Sequence, residues 1–364
     1  MKKIWMRTAA GVLAAVMLFP CQVSAISAQR AIVMDGVTGR VLYEKDADVS
    51  SRIASTTKIM TGLLVCQQCN VLDRVRIPKE AVGVEGSSMY LREGEVLTVQ
   101  ELLYGLMLSS GNDAAVALAI YCGGTVEGFV ALMNDKARQL GMTGTHFANP
   151  NGLDHPEHYA TARDLAILAR YAMEDPIFAQ IAATKTVSVA GRTLRNHNKL
   201  LWQVAGADGV KTGFTKASGR VLVSSATRDG RRLIAVTIRD PDDWRDHATL
   251  LEAGFSQYQV RQIVSAGEQV GSVSVISGME ASAPLVAETD FFYAMTKQEQ
   301  AEIVMPAPGF AYAPVVEGAD AGVAHICIDG VSVGTVRIRY GQTVEQQQPE
   351  RRSWWQRLWN KERN

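Results

Sequence analysis

The chain has 364 residues, of which 47% are hydrophobic and 20% are charged, enough for a packed core and two domains. Its 37 basic and 37 acidic residues cancel, so it lacks the basic excess that is typical of nucleic-acid-binding proteins. We therefore expect no nucleic-acid partner.

The first 25 residues have the features of a secretory signal peptide. A positively charged start precedes residues 8–19, which are uncharged and mostly apolar but too few to span a membrane comfortably. The small residues at 23–25 predict cleavage after Ala25, with Ala28 as the alternative. A proline rather than a small residue precedes Cys21, which disfavours a lipoprotein. We expect an exported protein whose first domain begins at residue 26.

The region 26–258 combines strands and helices. Two short strands around a turn are predicted within residues 30–44. Helical patterns mark the segments 55–69, 98–120, 126–140 and 161–174. Short strands return from Ile181, and the strands 221–225 and 233–238 flank Arg228-Asp229-Gly230, which favours a hairpin turn. This order predicts an α/β (α+β) domain in which helices pack on an antiparallel sheet.

Two further elements follow. Residues 259–345 alternate with period two between Gly and Pro residues, which predicts a small all-β domain. Residues 346–364 contain a basic amphipathic helix with Trp354, Trp355 and Trp359 on one face. Such a helix favours a membrane surface, which it would bind through residues 351–364. The alternative is that the tryptophan face docks on the protein itself.

Ser55-Thr56-Thr57-Lys58 has the form S-x-x-K. On a helix that begins near Ser55, residues three apart share a face, so the Lys58 amine can reach the Ser55 hydroxyl. The amine can act as a base when it is neutral, which burial or a nearby cation such as Lys211 promotes. Alone, the pattern fits a helix-capping serine and a surface lysine equally well.

Ser110-Gly111-Asn112 lies between two apolar helical segments. Such a turn can point Ser110 into a cleft as a proton relay, and Asn112 can hydrogen-bond the substrate backbone. A loop that simply caps the next helix through Asn112-Asp113 is the alternative, and both roles can coexist.

Lys211-Thr212-Gly213 precedes a strand-rich stretch. A lysine and a threonine hydroxyl at a sheet edge suit a substrate carboxylate, and Gly213 permits close backbone approach. The strand can bind an extended peptide at its edge, while the N–H groups of Phe214 and Ser55 can form an oxyanion hole. In this order, S-x-x-K, S-x-N and K-T-G are typical of serine acyl-enzymes of the penicillin-recognising type.

Histidines and cysteines do not indicate other chemistry. The six histidines lack zinc-ligand spacing, and Ser55 lacks the G-x-S-x-G context of a Ser-His-Asp hydrolase. Cys66-x-x-Cys69 has no second metal-binding pair and lies in an apolar helix, which favours buried thiols and leaves a disulfide possible. We expect neither a metal nor an organic cofactor.

The motifs and five further blocks resemble the low-molecular-weight penicillin-binding proteins of the serine D-alanyl-D-alanine carboxypeptidase type, peptidase family S11, in particular its DacF-like members. The resemblance covers residues 29–256 strongly and the β-rich region weakly. The further blocks are residues 86–91, 105–108, 149–153, 158–164 and 196–201.

The resemblance implies a penicillin-binding/β-lactamase-like transpeptidase fold and a role for each motif. Ser55 is then the nucleophile and Lys58 its base, Ser110 and Asn112 complete the site, and Arg245 adds a second cation for the substrate carboxylate. The segment 211–213 (Lys211, Thr212 and Gly213) binds that carboxylate region. The implied partners are peptidoglycan stem peptides ending in D-Ala-D-Ala, β-lactam antibiotics and the outer face of the cytoplasmic membrane.

Three other functions share parts of this pattern. A β-lactamase needs fast deacylation, but Glu157 lies in a carboxypeptidase block rather than in the class A pattern. A non-catalytic wall-binding protein would not need Ser55, Lys58 and Lys211 intact. A DD-endopeptidase that cuts cross-links is a variant of the main hypothesis.

Overall fold

The computed structural model describes residues 25–305 and 309–348. They divide into two compact units, with the division after Ser256, close to the boundary predicted after residue 258. The predicted signal peptide, apart from Ala25, and the predicted membrane-binding segment 351–364 lie outside the described residues.

A five-stranded antiparallel sheet forms the frame of the first unit. The strands of this unit are β1 (Arg30–Asp35), β2 (Val41–Lys45), β3 (Arg74–Arg76), β4 (Val96–Thr98), β5 (Thr186–Val189), β6 (Arg192–Arg195), β7 (Ala207–Thr215), β8 (Gly219–Arg228) and β9 (Arg231–Ile238). The sheet order is β2-β1-β9-β8-β7, so β7 is an edge strand. The predicted hairpin joins β8 to β9, and Asp229 and Gly230 have the positive φ angles, 50° and 78°, that such a turn favours.

Helices cover this sheet and enclose one central helix. The helices are α1 (Lys58–Gln68), α2 (Val99–Leu108), α3 (Asn112–Gly123), α4 (Val126–Gln139), α5 (Ala162–Ala172), α6 (Pro176–Ala183), α7 (Leu200–Gln203) and α8 (Asp243–Gln257). Helix α1 contacts α2, α3, α4, α5 and α6, and every residue from Lys58 to Val65 is buried. The first turn of α1 is therefore held inside the main hydrophobic core.

Helix α8 was not predicted from the sequence. Its first turn carries Asp243 and Asp246, which suit the positive end of a helix dipole. Gly254 faces the sheet, because a Cβ at this position would lie 2.7 Å from the Leu233 side chain. Burial against the sheet thus stabilises a segment that is polar on average.

The second unit is all-β, as predicted. Its strands are β10 (Gln259–Val264), β11 (Gln269–Ile276), β12 (Ser282–Ala287), β13 (Phe291–Met295), β14 (Ala301–Val304), β15 (Phe310–Tyr312), β16 (Asp320–Ile328) and β17 (Val331–Tyr340). Six of them form a sheet in the order β14-β16-β17-β12-β11-β15, and β10 pairs with β13. The predicted fold class, helices on an antiparallel sheet plus a small all-β domain, is confirmed.

Within residues 25–305 and 309–348, no single helix is long and apolar enough to cross a membrane. Helices α3 and α4 pass that test only as a pair, and they are bent by 84° relative to each other.

Candidate active site

The S-x-x-K residues form a tight turn that leads into α1. Residues Ala54–Thr57 are a 3-10 helix, and Lys58 begins the α-helix. Ala54 has a φ of 47°, a left-handed conformation that costs an alanine about 1–2 kcal/mol. The Lys58 amine lies 3.1 Å from Ser55 Oγ, so the expected contact between the two side chains is present.

Lys58 is fully buried and has three oxygen neighbours. Besides Ser55 Oγ, its amine lies 2.6 Å from Asn112 Oδ1 and 2.5 Å from the Asn151 carbonyl oxygen. Burial, and then the charge of Lys211, hold the pKa of Lys58 well below the ordinary lysine value. The oxygens of Asn112 and Asn151 can only accept, so they take two of the amine's hydrogens, and Ser55 Oγ is its third neighbour. Burial, rather than this set of partners, favours the neutral amine.

The second motif occupies the turn between α2 and α3. Ser110 is buried with a φ of 58°, and Asn112 is the first residue of α3. The Asn112 side-chain nitrogen donates to the Glu85 carbonyl at 2.6 Å, which directs Oδ1 towards Lys58. Asn112 thus orients the Lys58 amine. It does not cap α3, because the N-cap residue is Gly111 and no side chain caps this helix.

Asp113 anchors the loop that faces this turn. It is 1% exposed, and its carboxylate accepts hydrogen bonds from the Ser88 hydroxyl at 2.6 Å and from the Met89 and Leu91 N–H groups at 3.1 Å each. These bonds fix residues 88–91 beside the start of α3.

The third motif lies on the edge strand β7. Lys211 is 1% exposed, and burial lowers its pKa to about 7. A Cβ on Gly213 would lie 3.1 Å from Ser55 N and 3.0 Å from the Ile53 carbonyl oxygen, so β7 runs directly against the turn that carries Ser55. Thr212 is half-buried, and Phe214 is 66% exposed at the open edge. This brings the Ser55 turn and the K-T-G strand together.

The ion-pair partners of Arg245 lie outside the three motifs. It lies on α8, forms ion pairs with Asp242 at 3.1 Å and Asp246 at 3.8 Å, and lines a cavity of about 400 Å³ beside Ile26. Neither the ion pairs nor that cavity involves a residue of the three motifs, so its expected role at the substrate carboxylate stays a prediction.

Other cations lie closer to the end of β7. Lys216, Arg220 and Arg239 line a cavity of about 330 Å³ together with Phe214.

The sequence predicts no role for two segments that the structure places at the site. The turn 149–153 supplies the Asn151 carbonyl to Lys58, and a Cβ on Gly152 would lie 2.0 Å from the Ala54 carbonyl oxygen. The buried His158 lies 2.6 Å from Thr57 Oγ1. Both fall in blocks that carried the family resemblance, which was the available signal.

Throughout the described part of the chain, no group of three or more His, Cys, Asp or Glu residues could hold a metal ion. The cysteines there, Cys66, Cys69, Cys122 and Cys327, are free thiols. Burial raises the pKa of Cys66 to about 12.

Comparison with known protein families gives two matches. Residues 18–242 match the peptidase S11 model, described as D-alanyl-D-alanine carboxypeptidase. Residues 258–346 match the model of the C-terminal domain of penicillin-binding protein 5.

Individual relatives agree with these matches. The chain is 35% identical to the D-alanyl-D-alanine carboxypeptidase DacF of Bacillus subtilis over 266 residues, 70% of this chain and 68% of the relative. It is 36% identical to DacD of Salmonella typhimurium over 77% of this chain and 76% of the relative. The structure of penicillin-binding protein 5 from Haemophilus influenzae is similar with a TM-score of 0.78 and 30% identity, covering 89% of this chain and 99% of that one.

Proposed function

Because the chain belongs to the D-alanyl-D-alanine carboxypeptidase family, peptidase S11, we propose that Ser55 is its nucleophile. The proposed substrate is the peptidoglycan stem pentapeptide, which ends in D-Ala-D-Ala. The enzyme removes the terminal D-alanine through an acyl-enzyme on Ser55.

In the first step, Ser55 Oγ attacks the carbonyl carbon between the two D-alanines while its proton passes to the neutral Lys58 amine. The N–H groups of Ser55 and Phe214 stabilise the oxyanion. The C–N bond then breaks, and the leaving amine takes up a proton, with Ser110 as the relay. Water hydrolyses the ester and regenerates the Ser55 hydroxyl.

The third motif binds the end of the substrate. Lys211 and Thr212 hold the terminal carboxylate region, and the open edge of β7 pairs with the extended peptide. Glycine at position 213 favours this arrangement, because a Cβ there would press on the Ser55 turn at 3.0–3.1 Å.

The contact set of the Lys58 amine carries this proposal. Asn112 and Asn151 present oxygens that can only accept, so once burial has made the amine neutral its lone pair is available to take the proton of Ser55 Oγ, 3.1 Å away. A surface lysine beside a capping serine would not be fully buried with this set of partners.

The direct test is D-alanine release from a soluble acyl-Lys-D-Ala-D-Ala peptide. We expect release by the wild type and by Ser256→Ala, a control at an exposed serine of α8, and none by Ser55→Ala. Equal release by Ser55→Ala would refute the assignment of the nucleophile. Cleavage of cross-linked dimers but not of the free peptide would indicate the endopeptidase instead.

β-Lactams resemble the D-Ala-D-Ala terminus, so penicillin should acylate Ser55. Intact-protein mass spectrometry should show one long-lived adduct, absent from Ser55→Ala. Rapid turnover of penicillin without an accumulated adduct would favour a β-lactamase.

We also propose that the enzyme is exported and held at the membrane surface by residues 351–364. The supporting observation is the basic, tryptophan-bearing pattern of this segment. A chain ending at Glu350 should no longer sediment with anionic vesicles, while its activity on the soluble peptide stays unchanged. Sedimentation of the truncated chain would contradict this anchor.

A further inference from the structure

We propose that His158 is a positioning residue, which fixes the turn that carries Ser55 by donating a hydrogen bond to Thr57. This inference deepens the proposed function and rests on Ser55 as the nucleophile. It concerns a side chain outside the three motifs.

The hydrogen bonds of His158 determine its tautomer. The Ala148 N–H can only donate, and it lies 3.0 Å from His158 Nδ1, so Nδ1 must accept. In the neutral ring the proton is then on Nε2, which lies 2.6 Å from Thr57 Oγ1. His158 therefore donates to the Thr57 hydroxyl.

The Thr57 hydroxyl passes this constraint to the nucleophile turn. With its oxygen accepting from His158, its own hydrogen points to the Ala54 carbonyl oxygen at 2.8 Å. Ala54 directly precedes Ser55 and has the left-handed φ of 47°. The chain of hydrogen bonds thus ends on the peptide unit whose nitrogen belongs to Ser55 and would serve the oxyanion hole.

The surroundings keep the imidazole neutral and immobile. His158 is 2% exposed, and burial, followed by the charges of His146 and His155, lowers its pKa to about 4. The Phe147 ring packs edge-on at 5.8 Å between centroids. Hydrogen bonds in both directions between the backbones of His146 and Tyr159, at 2.9 and 3.0 Å, hold the neighbouring residue.

His158 does not act as a proton acceptor for Ser55 in this geometry. Its Nδ1 is occupied by a backbone N–H, and its Nε2 proton is directed at Thr57. Its effect must therefore pass through Thr57 and Ala54. Loss of either the imidazole or the hydroxyl should have the same consequence, a Ser55 turn that is less well placed.

The test uses Thr57→Val, which removes the relaying hydroxyl, and Thr57→Ser as the matched control that retains it. His158→Leu and the double variant His158→Leu/Thr57→Val complete a double-mutant cycle between the two side chains. The measurements are the rate of acylation by a fluorescent penicillin, kcat and KM for D-alanine release, and Tm.

We expect Thr57→Val to lose about 100-fold in acylation rate and kcat, the cost of misplacing a reacting group by about 1 Å. KM should stay within a few-fold, since the carboxylate site on β7 is untouched. Thr57→Ser should be close to wild type. The double variant should be no slower than the slower single variant, because both changes break one chain of contacts.

Wild-type acylation by Thr57→Val would overturn the inference, and so would losses that multiply in the double variant. If His158→Leu fails to fold, the comparison of Thr57→Val with Thr57→Ser decides alone. A failure of the proposed function looks different, because Ser55→Ala would then remain active or the wild type would release no D-alanine.

Discussion

Gly152→Ala should impair acylation of Ser55 without entering the substrate site. The added Cβ would lie 2.0 Å from the Ala54 carbonyl oxygen, and neither atom can rotate away, because the backbone fixes the position of a Cβ and the carbonyl is itself backbone. Restoring even a 3.0 Å contact requires a shift of about 1 Å, which near reacting atoms costs about 100-fold in rate. The φ of 89° adds about 1–2 kcal/mol of strain for an alanine, which lowers stability as well.

The assay is the second-order rate of acylation by a fluorescent penicillin, measured with Tm. Gly141→Ala is the matched control, because Gly141 also has a left-handed φ, 73°, but a Cβ there would meet nothing within 4 Å. The control should lose stability and retain the wild-type rate. Equal acylation rates for the two variants would refute the idea that the turn 149–153 sets the position of Ser55.

Three further predictions concern Lys211, Asp113 and Cys66. Lys211 has a pKa of about 7, so the kcat/KM profile should fall above that pH as its charge is lost. An arginine at position 211 stays charged, so in Lys211→Arg the fall in kcat/KM should move to higher pH. If kcat/KM falls at the same pH in this variant, the fall does not come from the loss of charge on Lys211. Asp113→Asn should lower the free energy of unfolding, measured by urea titration, by about 2 kcal/mol, because the 88–91 loop loses one acceptor oxygen. The control Asp135→Asn, at an exposed position, should lower it little. The raised pKa of Cys66 predicts much slower alkylation by iodoacetamide in the native protein than in urea, and equal rates would show an accessible thiol.

The sequence predicts best those features whose residues lie within a few positions of one another along the chain. The three-residue spacing of Ser55 and Lys58 predicts their contact, and the hairpin signal at Asp229-Gly230 predicts β8 and β9. The edge position of Lys211 was also expected from the strand-rich stretch that follows it. Such features depend on neighbouring residues, so periodicity and turn chemistry can reveal them.

Contacts between distant segments could not be derived in the same way. Asn151 donates nothing to Lys58; it offers a backbone carbonyl, a group that every residue has. The histidine spacing excludes zinc and indicates no other role for His158, whose partner Thr57 lies 101 residues away. The sequence does not predict α8, because the segment is polar on average and its few buried apolar positions, such as Leu250 and Leu251, can be recognised only once the sheet is in place.

The burial of Lys58 and Lys211 has a consequence for the evolution of this fold. Each lysine gives up hydration in the interior, and each would be replaced at a gain in stability by an apolar residue of similar volume. A descendant that lost its substrate would be free to make those replacements. The two buried amines therefore cost the fold stability that a chain with no use for their chemistry would have no reason to give up.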